Sequence, residues 1–156
     1  MASRSTTSVA GTERSLQNPV MRLGARLFSS ALGIAMLKRP KPGRVMISMW
    51  FAKGPSTEQM DWTRTLYATC SPEARRAVAR ATRNLDLRPS FATPGPATLV
   101  MVGEHDKATP VKFSKGIAAA IEGAELAVIE DAGHMVIVER PDAVAGRLDS
   151  WFAARL

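Results

Sequence analysis

The sequence predicts an α/β chain in which a helical N-terminal region precedes a strand–helix–strand–helix unit, and three observations carry that expectation. Two short apolar runs, residues 98–102 and 126–129, flank a stretch bounded by helix start and stop signals, the layout of two parallel strands joined by a right-handed crossover. Ahead of them, Pro89 through Pro96 holds three prolines and a glycine, the composition of a linker. The charge also changes there: residues 1–90 hold 15 Lys/Arg against 5 Asp/Glu, whereas residues 91–156 hold 6 against 9. The expected organisation is therefore a lead-in over residues 1–17, a helical region over 18–91 and an α/β unit over 92–156.

In chain order, MASRSTTSVAGTERS is rich in Ser, Thr and small residues without helical or alternating period, which is the composition of a disordered lead-in. It lacks the apolar core of a secretory signal, and Glu13 is out of place in an organellar transit peptide. Residues 18–37 read as a helix: Asn18 as cap, Pro19 in the first position, and Val20, Leu23, Leu27, Ala31, Ile34 and Ala35 at spacings of three and four. Pro40, Pro42 and Gly43 are expected to end it. Its apolar stripe suits packing on the neighbouring unit; with Arg22, Arg26, Lys38 and Arg39 alongside, it also suits a membrane surface.

VMISMWF, residues 45–51, is a strand or a buried helical turn, because a largely apolar run of seven residues is too short for periodicity to arbitrate. Ser56 and Gln59 form a capping-box pattern that opens a helix to about residue 69, with Met60, Leu66 and Trp62 on its inner side. Ser71-Pro72-Glu73 starts a further helix to about residue 84, with Arg75, Arg76, Arg80 and Arg83 as its solvated side. Beyond the linker, Thr109 is the expected cap and Pro110 the first turn of a helix to about residue 121, closed by Gly123. Pro141 opens the last helix, where Val144, Leu148, Trp151 and Phe152 form one face to cover the sheet.

Composition narrows the function classes. A chain of 156 residues, 46% hydrophobic and 22% charged, has the make-up of a soluble globular protein with room for a core. Cys70 is the single cysteine, which excludes an intramolecular disulfide and is compatible with a reducing cytoplasm, the expected location. No apolar run approaches the roughly 20 residues needed to span a bilayer. The net charge of +7 is spread over several helices without aromatic interleaving, so it reads as solvated helix faces rather than a nucleic-acid interface. No cofactor or metal is expected.

The chemistry lies at the carboxyl ends of the two strands. Each strand ends in a polar turn that presents one titratable residue, Asp106 after the first and His134 after the second. An acid and a histidine offered from successive parallel strands make two thirds of a charge-assisted nucleophilic triad, in the chain order acid then histidine. In Ala132-Gly133-His134 the glycine is expected to permit the tight turn that exposes the imidazole.

The stretch AGHMVIVERP, residues 132–141, preceded by PATLVMVGEHDKATP, residues 96–110, resembles the C-terminal portion of the alpha/beta-hydrolase fold. The likeness covers about residues 96–154 and is to the cap-bearing branch of esterases, lipases, dehalogenases and carbon–carbon bond hydrolases. It implies a partial alpha/beta-hydrolase fold, with Asp106 as the triad acid, His134 as the general base and residues 18–91 as the helical cap, or lid. It further implies a serine-type mechanism on a small apolar ester or related carbonyl compound, bound between lid and core. His105 and Glu104 are expected to be loop residues, and Glu139 to anchor its loop.

The same resemblance requires a nucleophile on a G-x-S-x-G turn, and no serine here has glycine at both flanking positions. Gly54-Pro55-Ser56 supplies the first half only, and Ser56 is better used as a helix cap; Cys70 lacks the elbow context. The oxyanion-hole segment is also missing, so the chain is expected to be a fragment or truncated product that is inactive until an N-terminal half completes it. Its first strand is then expected to expose an edge open to self-association. The alternative, of a different class, is a non-enzymatic interaction module that pairs this open edge with another chain or with itself.

Overall fold

A serine and two prolines open the first two complete helices of the described residues. The computed structural model describes residues 27–28, 30–82 and 95–156. The lead-in, the expected Asn18 cap and the linker up to residue 94, with its boundary near residue 92, lie outside the described residues. Helix α1, Ala31–Leu37, is capped by Ser30, whose hydroxyl accepts from the Gly33 amide at 3.0 Å. Helix α2, Pro40–Ser48, follows almost at once. The expected breakers thus start a helix: the first-turn amides of a helix have no intrahelical acceptor, so Pro40 and Pro42 sacrifice nothing there. The run 45–51 takes the helical alternative, its first part closing α2 and its last forming a turn. Leu37, Met46, Ile47 and Phe51 form a buried cluster.

Helix α3, Thr57–Thr69, carries the expected capping box: Ser56 Oγ accepts from the Gln59 amide at 3.1 Å, and Gln59 Oε1 from the Ser56 amide at 2.8 Å. Its inner side differs from expectation. Thr63 is fully buried and Met60 partly so, but Trp62 is 56% and Leu66 52% exposed. The cause is a polar seam. Arg44 of α2 donates to both carboxylate oxygens of Asp61, from Nε to Oδ1 and from Nη2 to Oδ2, and Arg64 reaches across Gly43 to donate to the Leu37 carbonyl at 2.9 Å. With Asp61 and Arg64 turned toward α1 and α2, Trp62 and Leu66 face outward.

The Arg44 guanidinium holds the Asp61 carboxyl down to about 2, against an ordinary value of 3.8. This pair therefore stabilises the packing of α2 on α3 above pH about 4, and the contribution is lost as pH falls from there through about 2. We expect the thermal midpoint of the wild-type chain to fall more steeply than that of Asp61→Asn across this window, and added salt to narrow the difference. Parallel pH profiles would contradict it.

Helix α4, Pro72–Thr82, starts at Ser71, whose hydroxyl accepts from the Ala74 amide at 3.1 Å. Arg76 and Arg80 are exposed as expected, whereas Arg75 turns inward and donates to the Phe28 and Cys70 carbonyls, each at 3.2 Å. Cys70 is a free, exposed thiol.

Strands β1, Leu99–Gly103, and β2, Glu125–Ile129, pair in parallel with Leu99 opposite Glu125 and Gly103 opposite Ile129. Among the described residues they are the whole sheet, so β1 is paired on one side only. The crossover helix α5, Val111–Ala120, packs against both strands. Pro110 rather than Thr109 holds its N-cap position, and no side chain caps it. A short α6, Val136–Glu139, leads into α7, Pro141–Ala153. Val144 of α7 is buried with Ile129 and Ala132, and Leu148 packs against them. Phe152 does not join this face. It is 52% exposed and meets the Trp151 ring edge-on, while Arg155 stacks over the indole and ties the end of α7 to Glu125. Met135 and Val138, from the segment after β2, pack into the cluster around Phe51, which joins the two parts of the chain. Among the described residues no helix is long and apolar enough to cross a membrane.

Candidate active site

The turn after β1 is laced onto the end of β2. The Glu104 amide donates to the Ile129 carbonyl at 2.9 Å, and the His105 amide to the Ala132 carbonyl at 2.8 Å. These bonds continue the parallel ladder past both strands and bring Asp106 beside His134. Asp106 is 8% exposed, and its carboxylate accepts four hydrogen bonds. Oδ1 takes the amides of Ala108 and Thr109, both at 2.8 Å, in an Asx-turn arrangement. Oδ2 takes the Thr109 hydroxyl at 2.8 Å and His134 Nδ1 at 2.9 Å. Burial pushes the carboxyl up, but the bonds from His134 and Thr109 outweigh it and hold Asp106 below the ordinary carboxylate value.

An ionised carboxylate only accepts, so the proton between the two residues belongs to Nδ1 of His134. Nε2 is then a free lone pair, on a side chain that is 34% exposed. The Thr109 oxygen lies 3.3 Å from Nδ1, on the flank of the same bond. Thr109, read from sequence as a helix cap, is thus part of the site. The Asp-x-x-Thr spacing is the signal, since one turn brings a hydroxyl back onto the carboxylate three residues before it.

The position of His134 is fixed by its backbone. Its amide donates to the Trp50 carbonyl at 2.7 Å, and its ring meets the Trp50 indole edge-on with centroids 6.2 Å apart. Trp50 is itself stacked on Phe28 and edge-on to Tyr67. Gly133 acts here through close approach: a Cβ on it would lie 2.6 Å from the Ala52 nitrogen and 2.7 Å from the Trp50 oxygen. The turn needs its glycine for this close approach and not for a left-handed backbone, which in this loop falls at Asp131, with φ 51°. Gly103 is packed in the same way, a Cβ there falling 2.2 Å from the Gly133 oxygen.

Glu139 anchors its loop as expected, accepting from the Gly133 amide at 2.8 Å, and it also accepts from the Ala52 amide at 2.7 Å. Glu104 and His105 are exposed turn residues. With Asp131 they place three ligand-type atoms within 4.8 Å of one another, but Asp131 is already paired with Arg140 at 3.2 Å. An open cleft of about 340 Å³ lies beside the acid, lined by Ala52 and Lys53 on one side and residues 104–107 on the other. Among the described residues no serine or cysteine hydrogen-bonds to His134. Ser114, two residues before Gly116, has the second half of an elbow pattern, but it is buried within α5.

A family model described as "Alpha/beta hydrolase family" matches residues 2–147. A proline iminopeptidase of Pestalotiopsis fici is 45% identical over 53 residues, which are 34% of this chain and 19% of the iminopeptidase. An esterase from Exiguobacterium antarcticum superposes with a TM-score of 0.67 at 25% identity, covering 84% of this chain and 47% of the esterase. An enol-lactonase from Burkholderia xenovorans gives 0.68 at 22% identity, covering 86% of this chain and 50% of the lactonase. The chain therefore spans about half the length of these solved structures.

Proposed function

This chain belongs to the alpha/beta hydrolase family, and from that premise we propose that it carries the acid, Asp106, and the base, His134, of a serine-type hydrolase of esters or related carbonyl compounds. The observation that carries the reading is the 2.9 Å contact between a buried, fully hydrogen-bonded carboxylate and Nδ1 of an accessible imidazole. In the reaction, Nε2 takes the proton of a nucleophilic hydroxyl as that oxygen attacks the carbonyl carbon. Asp106 stabilises the imidazolium, which then protonates the leaving group; water and the same histidine reverse the sequence to release the acid. The hydroxyl would come from a G-x-S-x-G segment, which this sequence does not contain, and the oxyanion donors from the same missing part. Residues 18–91 would form the lid over a mainly apolar pocket for a small ester-like substrate.

The 156-residue chain is accordingly expected to hydrolyse p-nitrophenyl acetate no faster than an equal concentration of free imidazole. Robust turnover that survives Cys70→Ala would overturn the reading, because this chain would then hold a nucleophile of its own. The one-sided pairing of β1 favours a second reading, an interaction module that adds a strand from another copy. A stable, monodisperse dimer in light scattering would favour that module, whereas ill-defined association would favour the incomplete hydrolase.

A further inference from the structure

We propose that Glu139 is a positioning residue that locks the lid segment around Trp50 and Ala52 to the loop of His134, so that the seating of the lid sets the placement of the base. The inference rests on His134 being that base and names what holds it there. The two carboxylate oxygens are divided between two distant parts of the chain: Oε1 accepts from the Gly133 amide at 2.8 Å, and Oε2 from the Ala52 amide at 2.7 Å. Neither amide belongs to α6, so the carboxylate gives its own helix nothing. It serves as a charged bridge between two backbones.

Three further ties run parallel to it. The His134 amide donates to the Trp50 carbonyl at 2.7 Å, Gln59 Nε2 donates to the Val138 carbonyl at 2.8 Å, and Met135 and Val138 pack into the Phe51 cluster. Gly133 lies flat against the Trp50–Ala52 backbone, with no room for a Cβ. The lid segment cannot lift from the core without breaking the Ala52–Glu139 and His134–Trp50 bonds; the second break frees the amide of the residue that carries the imidazole, and the first frees the carboxylate that holds the neighbouring Gly133 amide. Lid and base therefore move as one body at this point, and a change of lid position alters the reach of Nε2.

Glutamine at position 139 keeps the length of the side chain but has a single carbonyl oxygen, which can satisfy only one of the two amides. In the ¹⁵N-labelled full chain, Glu139→Gln is expected to raise the hydrogen-exchange rates of the Ala52, Gly133 and His134 amides together, by about tenfold or more. The Glu104 and Glu125 amides, bonded across the β1–β2 ladder, serve as the internal control and should hold their rates. The ring ¹⁵N signals of His134 should also move toward those of exposed His105, the only other histidine. Acceleration of Gly133 alone, with the Ala52 and His134 amides and the His134 ring unmoved, would overturn the proposal and leave Glu139 a local anchor. If the ladder amides of Glu139→Gln also lose protection, Glu139→Asp, which keeps the charge but shortens the reach, is read by the same criteria. These amide readouts need no chemistry, so failure of the clamp is distinguishable from failure of the hydrolase reading.

Discussion

Replacing Gly133 by alanine is expected to destabilise the chain by about 3 kcal/mol, at the upper end of the cost of overpacking a close-packed site. The added methyl would meet the Ala52 nitrogen at 2.6 Å and the Phe51 carbon and Trp50 oxygen at 2.7 Å, all backbone atoms that no rotamer change can clear. Relief would require the 50–52 segment and the histidine loop to separate, which strains the His134–Trp50 and Glu139–Ala52 bonds. Gly103→Ala pushes on the same loop from the other side, against the Gly133 and Ala132 oxygens. Urea unfolding followed by tryptophan fluorescence measures both. A shift of Gly133→Ala within about 0.5 kcal/mol of wild type, the range of an ordinary surface change, would mean that these backbones do not meet.

Asp106→Asn is expected to have the largest effect on chemistry while leaving the fold in place. The carboxamide oxygen can keep the Ala108 and Thr109 amides on the Oδ1 side, but its NH₂ then faces His134 and donates where the carboxylate accepted. The imidazole must turn Nδ1 into the acceptor and carry its proton on Nε2, so it can no longer take a proton from a nucleophile. In serine hydrolases of known mechanism this substitution lowers kcat by about 10⁴. The same loss is expected here when the chain is completed by a nucleophile-bearing segment and assayed on an ester. The substitution also has a signature in stability. The folded-state value of Asp106 lies below the ordinary 3.8, so its contribution is present above that pH and is lost as pH falls through the lowered value. Asp106→Asn should lack this acid-sensitive component.

Local signals in the sequence proved strong and long-range ones weak. The two strands, the crossover helix and the Ser56/Gln59 capping box follow from periodicity and spacing within a few residues. Asp106 and His134 were legible because each ends a strand, and parallel pairing of those strands leaves their turns side by side. What sequence reading missed depends on packing between distant segments. Pro40 and Pro42 carry the same local message as breaker or starter, and only the room for a second helix beyond Leu37 decides between them. Trp62 and Leu66 have the spacing of a core stripe, but the Arg44–Asp61–Arg64 seam turns α3 about its axis. The buttress of His134 by Trp50 joins residues 84 positions apart, and no local pattern announces it.

The central claim, that this chain holds a preassembled acid–base pair, is tested most directly by the ring ¹⁵N chemical shifts of His134 in the uniformly labelled chain at alkaline pH. The geometry predicts a protonated, pyrrole-type Nδ1 and an unprotonated, pyridine-type Nε2, reversed in Asp106→Asn, with exposed His105 as reference in the same spectrum. A His134 that carries its proton on Nε2, or that shows the averaged signals of His105, would contradict the account.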